Sequence, residues 1–198
     1  MPRNKDVRVG APEQNVTGAI KSAPLGTATP DLSDIAISGV TLDNAFKGDE
    51  YVSEDGLTLA PAMSTSDIKD WSGATVRKLL ESFDGTISWT MISTNEGALK
   101  IAFGSANVSA VAATAAHGKQ VKASLGAYLP ERRAWVFLMK DGDARIVITV
   151  PDGQITEVGE VTFASNQAIA WPVTLSCYPD TEGKCIHILT DDGEVVSA

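Results

Sequence analysis

Two apolar runs, Arg133-Ala134-Trp135-Val136-Phe137-Leu138-Met139 and Arg145-Ile146-Val147-Ile148-Thr149-Val150, are separated only by Lys140-Asp141-Gly142-Asp143. This arrangement constrains the fold more than any other feature of the chain. Asp-Gly supplies the backbone freedom a tight reversal needs, and β-branched and aromatic neighbours suit a pleated, buried surface, so the segment reads as a β-hairpin. More strands are expected around it. Thr86-Ile87-Ser88-Trp89-Thr90-Met91-Ile92 alternates polar and apolar residues, the period of a half-buried strand. Pro151-Asp152-Gly153 reads as the next turn, residues 154–163 as the next strand, and residues 173–178 and 184–190 as a final hairpin around Tyr178-Pro179-Asp180-Thr181-Glu182-Gly183-Lys184. One short helix is expected, capped by Asn95, running through Ala98, Leu99, Lys100, Ile101, Ala102 and Phe103, and ended by Gly104. Residues 106–116 read as loop or strand. Many short strands with one flanking helix point to a mainly β sandwich or barrel, and the absence of a 20–50-residue repeat argues against a solenoid.

The first 75 residues are harder to read. Residues 1–30 are interrupted by Pro12, Pro24 and Pro30 and read as an N-terminal arm, with residues 16–25 offering at most one strand. Residues 31–198 then form the β domain. Within it, short extended pieces at 35–42 and 57–60 are broken by Asp43-Asn44, Lys47-Gly48-Asp49-Glu50, Glu54-Asp55-Gly56 and Pro61, so residues of about 45–73 read as one long loop. Ser64-Thr65-Ser66-Asp67-Ile68-Lys69-Asp70-Trp71 begins with capping residues and is expected to form a short helical turn inside it. A loop of that length in a small domain signals function or disorder.

Charge narrows the partners. The chain has 16 Lys+Arg against 25 Asp+Glu, a net charge of −9, with a sequence pI near 4.6. Such a surface repels phosphate and disfavours tight, sequence-independent nucleic-acid binding. The first thirty residues run the other way, with Arg3, Lys5, Arg8 and Lys21 against Asp6 and Glu13. That fits an arm docked on a neighbouring acidic body, and equally a solvated tail. The longest apolar run, residues 134–139, is far short of the roughly 20 residues that span a bilayer, and no apolar stretch follows the N-terminus as in a secretory signal.

Catalytic chemistry finds few residues. Only His117 and His187 are available for a Ser-His-acid triad, and no Gly-x-Ser-x-Gly elbow supplies the nucleophile. Cys185 and His187, two apart, with Cys177 opposite, make the one conceivable zinc set. The alternative is thiols packed as small hydrophobes. Cys177 and Cys185 are also close enough in sequence to face each other across a hairpin as a disulfide. Phosphate-cradling glycine motifs are absent, Asp141-Gly142-Asp143 lacks the rest of a calcium loop, and no pair of acids stands out for glycoside hydrolysis. Trp89 and Trp135 lie in apolar strands and are expected in the core, whereas Trp71 and Trp171 adjoin loop-like sequence and are expected as contact residues. No catalytic, cofactor or metal residue is expected, and the chain reads as a non-enzyme.

An ordered set of segments carries a resemblance. It comprises Tyr51-Val52-Ser53-Glu54-Asp55-Gly56-Leu57-Thr58, then Ser66-Asp67-Ile68-Lys69-Asp70-Trp71-Ser72-Gly73-Ala74-Thr75-Val76-Arg77, Asn95-Glu96-Gly97-Ala98-Leu99-Lys100 and Lys140-Asp141-Gly142-Asp143. Val150-Pro151-Asp152-Gly153-Gln154-Ile155-Thr156-Glu157-Val158-Gly159-Glu160-Val161 and Cys177-Tyr178-Pro179-Asp180 complete it. Together, over about residues 16–190, they resemble the major tail protein of long-tailed, non-contractile bacteriophages infecting actinobacteria. The resemblance implies a β-sandwich or barrel subunit, assembled as hexameric rings stacked into a tail tube through which DNA passes without specific binding. It also implies virion localisation after assembly in the host cytoplasm, with tape-measure, tail-tip and terminator proteins as partners. The early loop and the arm would bridge adjacent rings, with Glu54, Asp55, Asp67, Asp70, Trp71 and Arg77 as contact residues. A carbohydrate-binding module using Trp71 and Trp171, or another tail ring protein such as a tube terminator, are the alternatives.

Overall fold

The computed structural model describes residues 7–13, 18–48 and 50–195. In chain order its elements are β1 (Ile20–Pro24), β2 (Ile35–Ala36), β3 (Gly39–Val40), β4 (Val52–Lys69), β5 (Thr75–Met91), α1 (Glu96–Phe103), β6 (Val108–Val111), β7 (Gln120–Ala123), β8 (Arg133–Asp141), β9 (Ala144–Val158), β10 (Trp171–Cys177) and β11 (His187–Asp191). Seven strands join in one antiparallel sheet of order β1-β8-β9-β10-β5-β4, with β11 also paired to β9. Two small ribbons, β2-β3 and β6-β7, flank it. The mainly β architecture, with a single α-helix among the described residues, agrees with the expectation from sequence.

The β8–β9 reversal forms where Asp141-Gly142 places it: Asp141 pairs with Ala144 and Gly142 has φ +62°. The next turn does not form. β9 continues through Pro151-Asp152-Gly153 with a register shift against β8 at that point, and Gly153 pairs with Arg133 on one edge and Cys177 on the other. A Cβ on Gly153 would lie 2.9 Å from Leu175 Cδ1 and 3.0 Å from Trp135 Cδ1. The glycine is there to let two large side chains close over the backbone, not to reverse it. Beside it, Asp152 pairs with the Arg132 guanidinium, whose Nε donates to it at 2.7 Å.

The expected final hairpin is also different. β10 and β11 do not pair with each other; both lie antiparallel along one edge of β9, β10 against residues 153–158 and β11 against residues 145–149. The turn between them does fold as its residues suggest, with Asp180 Oδ1 accepting from the backbone amides of Glu182 and Lys184. It loops out and returns the chain in the same direction, so β11 continues the line of β10.

The main core lies on one face of the sheet. Trp89, Trp135 and Phe137 meet edge to face, with ring centroids 5.5 Å apart in both pairs. Ile87, Met91, Val150, Ile155, Val173 and Leu175 surround them. Full burial of Phe137 alone contributes about 1.5–3 kcal/mol. Helix α1 closes this face with Ala98, Leu99 and Ala102. Asn95 caps it, accepting from the Ala98 amide at 2.8 Å, and Gly104 ends it at φ +82°.

On the other face Ala134, Val136, Leu138 and Val147 meet Ala23 and Phe46 in a second, smaller core. Both faces of β8 are therefore covered, which explains its unbroken apolar sequence. Within the segment expected to be an arm, Ile20–Pro24 pairs with β8, and residues 11–13 bond to Leu138 and Lys140 further along the same strand. Of the charged residues expected along that arm, Arg3, Lys5 and Asp6 lie outside the described residues. Arg145, almost wholly buried, ties these layers together: it donates to the Ala36 carbonyl at 2.7 Å and pairs with the Glu13 carboxylate.

Candidate assembly interface

The segment expected as a loop, about residues 45–73, is mostly strand. β4 and β5 form a long hairpin whose pairing extends from Leu57↔Trp89 out to Lys69↔Thr75. The helical turn expected at 64–71 does not form, because Thr65, Ser66 and Asp67 pair across to Leu80, Leu79 and Lys78. Pro61 does not interrupt the strand: β4 ends the sheet order, and an edge strand tolerates a missing N–H.

The hairpin divides into two parts. From residue 85 to 91, β5 alternates buried and half-buried positions; from 75 to 84 every residue is exposed. The distal part leaves the body of the protein and carries its apolar groups into solvent. Met63, Leu80 and Phe83 continue the face that holds Trp89 and Ile87, while Ile68 and Leu79 lie on the opposite face, all of them exposed. A two-stranded ribbon alone in water is marginally stable. An exposed apolar edge is also a template for association.

The tip is nonetheless well built. Asp70 Oδ1 accepts from the Ser72 hydroxyl at 2.6 Å and from the Ser72 and Ala74 amides at 2.9 Å. These bonds, the Ser72 hydroxyl first and the Ala74 amide next, hold its carboxyl below the usual range. Gly73, at φ +86°, supplies the left-handed residue of the turn. Asp67 pairs with Lys78 at 2.8 Å and accepts from Thr75. Trp71 stands fully exposed at the apex.

The six predicted contact residues thus fall in two places. Asp67, Asp70, Trp71 and Arg77 lie at the hairpin tip; Glu54 and Asp55 lie at its root, where Ser53 donates to Asp55. Beside the root is a groove of about 400 Å³, lined by Ala11, Ile20, Val52, Leu57, Leu138 and Met139 among others. Glu50 reaches from this groove to the first turn of α1, where a Cβ on Gly97 would collide with its Oε1. Its carboxylate faces the positive end of the helix dipole. Sequence reasoning missed Met63, Leu80, Phe83 and the groove. The alternation Leu57-Thr58-Leu59-Ala60-Pro61-Ala62-Met63 was the available signal.

Other candidate residues are structural. Trp171, expected as a contact residue, is buried: its Nε1 donates to Thr94 at 3.1 Å and its ring meets Phe103 edge to face at 5.7 Å. It closes the end of the core where α1 crosses β10, and Trp71 has no tryptophan partner in a flat platform. Trp89 and Trp135 are core residues, as expected. Cys177 and Cys185 are unbonded and buried, and burial pushes the Cys177 thiol up to about 12. His187 bonds to Asp180 at 3.1 Å instead of joining the thiols. Among the described residues no cluster of three His, Cys, Asp or Glu could hold a metal ion, and no helix is long and apolar enough to cross a membrane.

Among solved structures, the chain is similar to the tube-terminating cap of the anti-feeding prophage, at 11% identity and TM-score 0.47, over 94% of this chain and 96% of that one. It is also similar to a chain in the virion of a native gene transfer agent particle, at 11% identity and TM-score 0.40, over 76% of this chain and 92% of that one. No curated protein matches it. The family model described as phage tail tube protein matches residues 4–198. The chain therefore belongs to the phage tail tube protein family, a family of structural tail components and not of enzymes.

Proposed function

We propose that this chain is the tube subunit of a long, non-contractile phage tail, assembling as hexameric rings that stack into the conduit for DNA ejection. The resemblance of its segments to major tail proteins of actinobacterial phages supports that narrower placement. Assembly would take place in the host cytoplasm, with tape-measure, tail-tip and terminator proteins as the other partners; the β4–β5 hairpin would bridge neighbouring rings, together with those parts of the N-terminal arm that β8 of the same chain does not hold.

The observation that carries this reading is the distal hairpin. It has a rigid hydrogen-bonded turn, apolar residues on both faces and no core of its own. A soluble monomer gains nothing from such an extension; a subunit of a polymer uses it to bury surface on its neighbour. Glu54, Asp55, Asp67, Asp70, Trp71 and Arg77 are the residues assigned to these contacts. Acidic residues on the lumen would repel DNA phosphates and let the genome slide, in keeping with the net charge of −9.

The test is negative-stain electron microscopy of the purified protein, concentrated and kept reduced. Hollow tubes or six-fold rings are expected. Monodisperse small particles that never polymerise, even when a tail-tip complex is supplied to initiate them, would overturn the proposal.

A further inference from the structure

We infer that the hairpin tip of one copy docks into the groove at the hairpin root of the next, with Trp71 entering the groove and Arg77 and Lys69 meeting Glu54 and Asp55. The inference rests on the proposed self-assembly and adds to it the specific site where the hairpin ends.

Three observations converge on a second copy as the occupant. First, the groove is apolar and open, between the strand-like N-terminal residues 9–12 and the first residues of β4, and its volume of about 400 Å³ accommodates a large aromatic side chain. Trp71 is such a side chain, fully exposed and presented on a fixed turn. Second, the charges are complementary. At the root, Glu54 and Asp55 stand with no base between residues 50 and 62, Glu50 being buried against α1, whereas residues 67–78 include Lys69, Arg77 and Lys78 against Asp67 and Asp70, with Asp67 already paired to Lys78. The Asp70 carboxylate is already occupied by its own turn, and Lys69 and Arg77 have no ion pair among the described residues. Third, the tip cannot reach its own groove. From Leu57 to Lys69 the paired strand spans about 40 Å at roughly 3.3 Å per residue, and although register shifts at Ser64–Thr65 and Ile68–Lys69 bend it, the ladder keeps tip and root at opposite ends of the hairpin.

A contact between two different patches on identical chains is head-to-tail, so it propagates from copy to copy and does not close as a symmetric dimer. It would cover the apolar tip and the groove in one step. The opposite charges would select the register in which tip meets root.

The test uses full-length protein. Ala74→Cys at the tip and Ser53→Cys at the groove are made in separate chains, mixed, allowed to polymerise and oxidised mildly, with tubes scored by electron microscopy in the same sample. Cys177 and Cys185 are buried, and mass spectrometry of the linked peptides removes ambiguity. The expected result is a disulfide joining the two introduced thiols, tip of one chain to root of another, at least tenfold more abundant in tubes than in unpolymerised protein. Tubes lacking this linkage would overturn the docking site and leave self-assembly standing; wild-type protein that never polymerises, even with a tail-tip complex supplied to initiate it, would overturn both.

A charge exchange tests the same contact without cysteine. Glu54→Lys and Arg77→Glu should each reduce tube yield at least tenfold, with thermal unfolding of the monomer unchanged, and the double variant should return it to within about twofold of wild type. Single variants that polymerise normally, or a double variant without recovery, would overturn it.

Discussion

The two halves of β5 share a strand and differ in everything that stabilises one. From Gly85 to Met91 each alternate side chain enters the core, and the strand is paired on both edges, to β10 and to β4. From Thr75 to Asp84 it pairs only with β4, and every residue is exposed. The proximal half is held by burial, which the chain supplies itself. The distal half has only a hydrogen-bonded ladder and a well-formed turn, which in water do not add up to a stable element. The contrast marks where the folded body ends and where, in the proposed tube, the assembly surface would begin. It also explains why leucine, methionine and phenylalanine continue outward past that boundary.

Substitutions on either side of Gly85 should separate the two halves. The largest effect is expected at the apex, where Trp71→Ala should abolish tube formation in electron micrographs while the monomer keeps its circular dichroism spectrum and melting temperature. In the proximal half, Trp89→Ala should destabilise the monomer by about 3–5 kcal/mol in urea titration, because a large ring 4% exposed leaves a cavity. Gly153→Ala should cost about 1–3 kcal/mol by the same measurement, since the added methyl must displace Leu175 or Trp135. In the distal half, Leu80→Ala should change monomer stability by less than about 0.5 kcal/mol, as its side chain is 64% exposed and supports no core.

The smallest expected effect concerns pH. Hydrogen bonds from Lys100, then Lys119, hold the Glu96 carboxyl at about 2, against an ordinary value of 4.5. A depressed folded-state value means these pairs contribute fully above the ordinary value and are lost as pH falls through about 2. Carboxyl carbon chemical shifts should show Glu96 titrating near 2, and Lys100→Met should move that transition upward.

Where side chains answer to this chain's own core, the fold was legible in the sequence. The β8–β9 hairpin, the Asn95-capped helix and the burial of Trp89 and Trp135 follow from period, cap and turn residues because all three point to one local structure. The failures have separate physical causes. Pro151-Asp152-Gly153 has the composition of a turn, yet Gly153 is required by the side chains packed above it. Pro179-Asp180 and Gly183 do make a turn, but local sequence does not say whether the returning strand pairs with β10 or continues along β9. Trp171 adjoins loop sequence and is buried through α1, a contact distant in the chain. The distal hairpin was hardest to read. Thr75-Val76-Arg77-Lys78-Leu79-Leu80 has no alternation because neither of its faces meets a core within the same chain, and Pro61 on the partner strand looks like a break until β4 is known to be an edge. Residues 51–77 stood out in the sequence as an unusual region, though as a loop and not as a paired hairpin. That Glu54 and Asp55 stand at one end and Trp71 and Arg77 at the other requires the ladder.

In the proposed tube the distal hairpin is completed by a second copy. Amide hydrogen exchange of residues 62–83, compared between monomer and assembled tube, addresses this directly. Fast exchange in the monomer and strong protection in the tube are predicted, with residues 85–91 protected in both. Equal exchange of residues 62–83 in the two states would contradict the account.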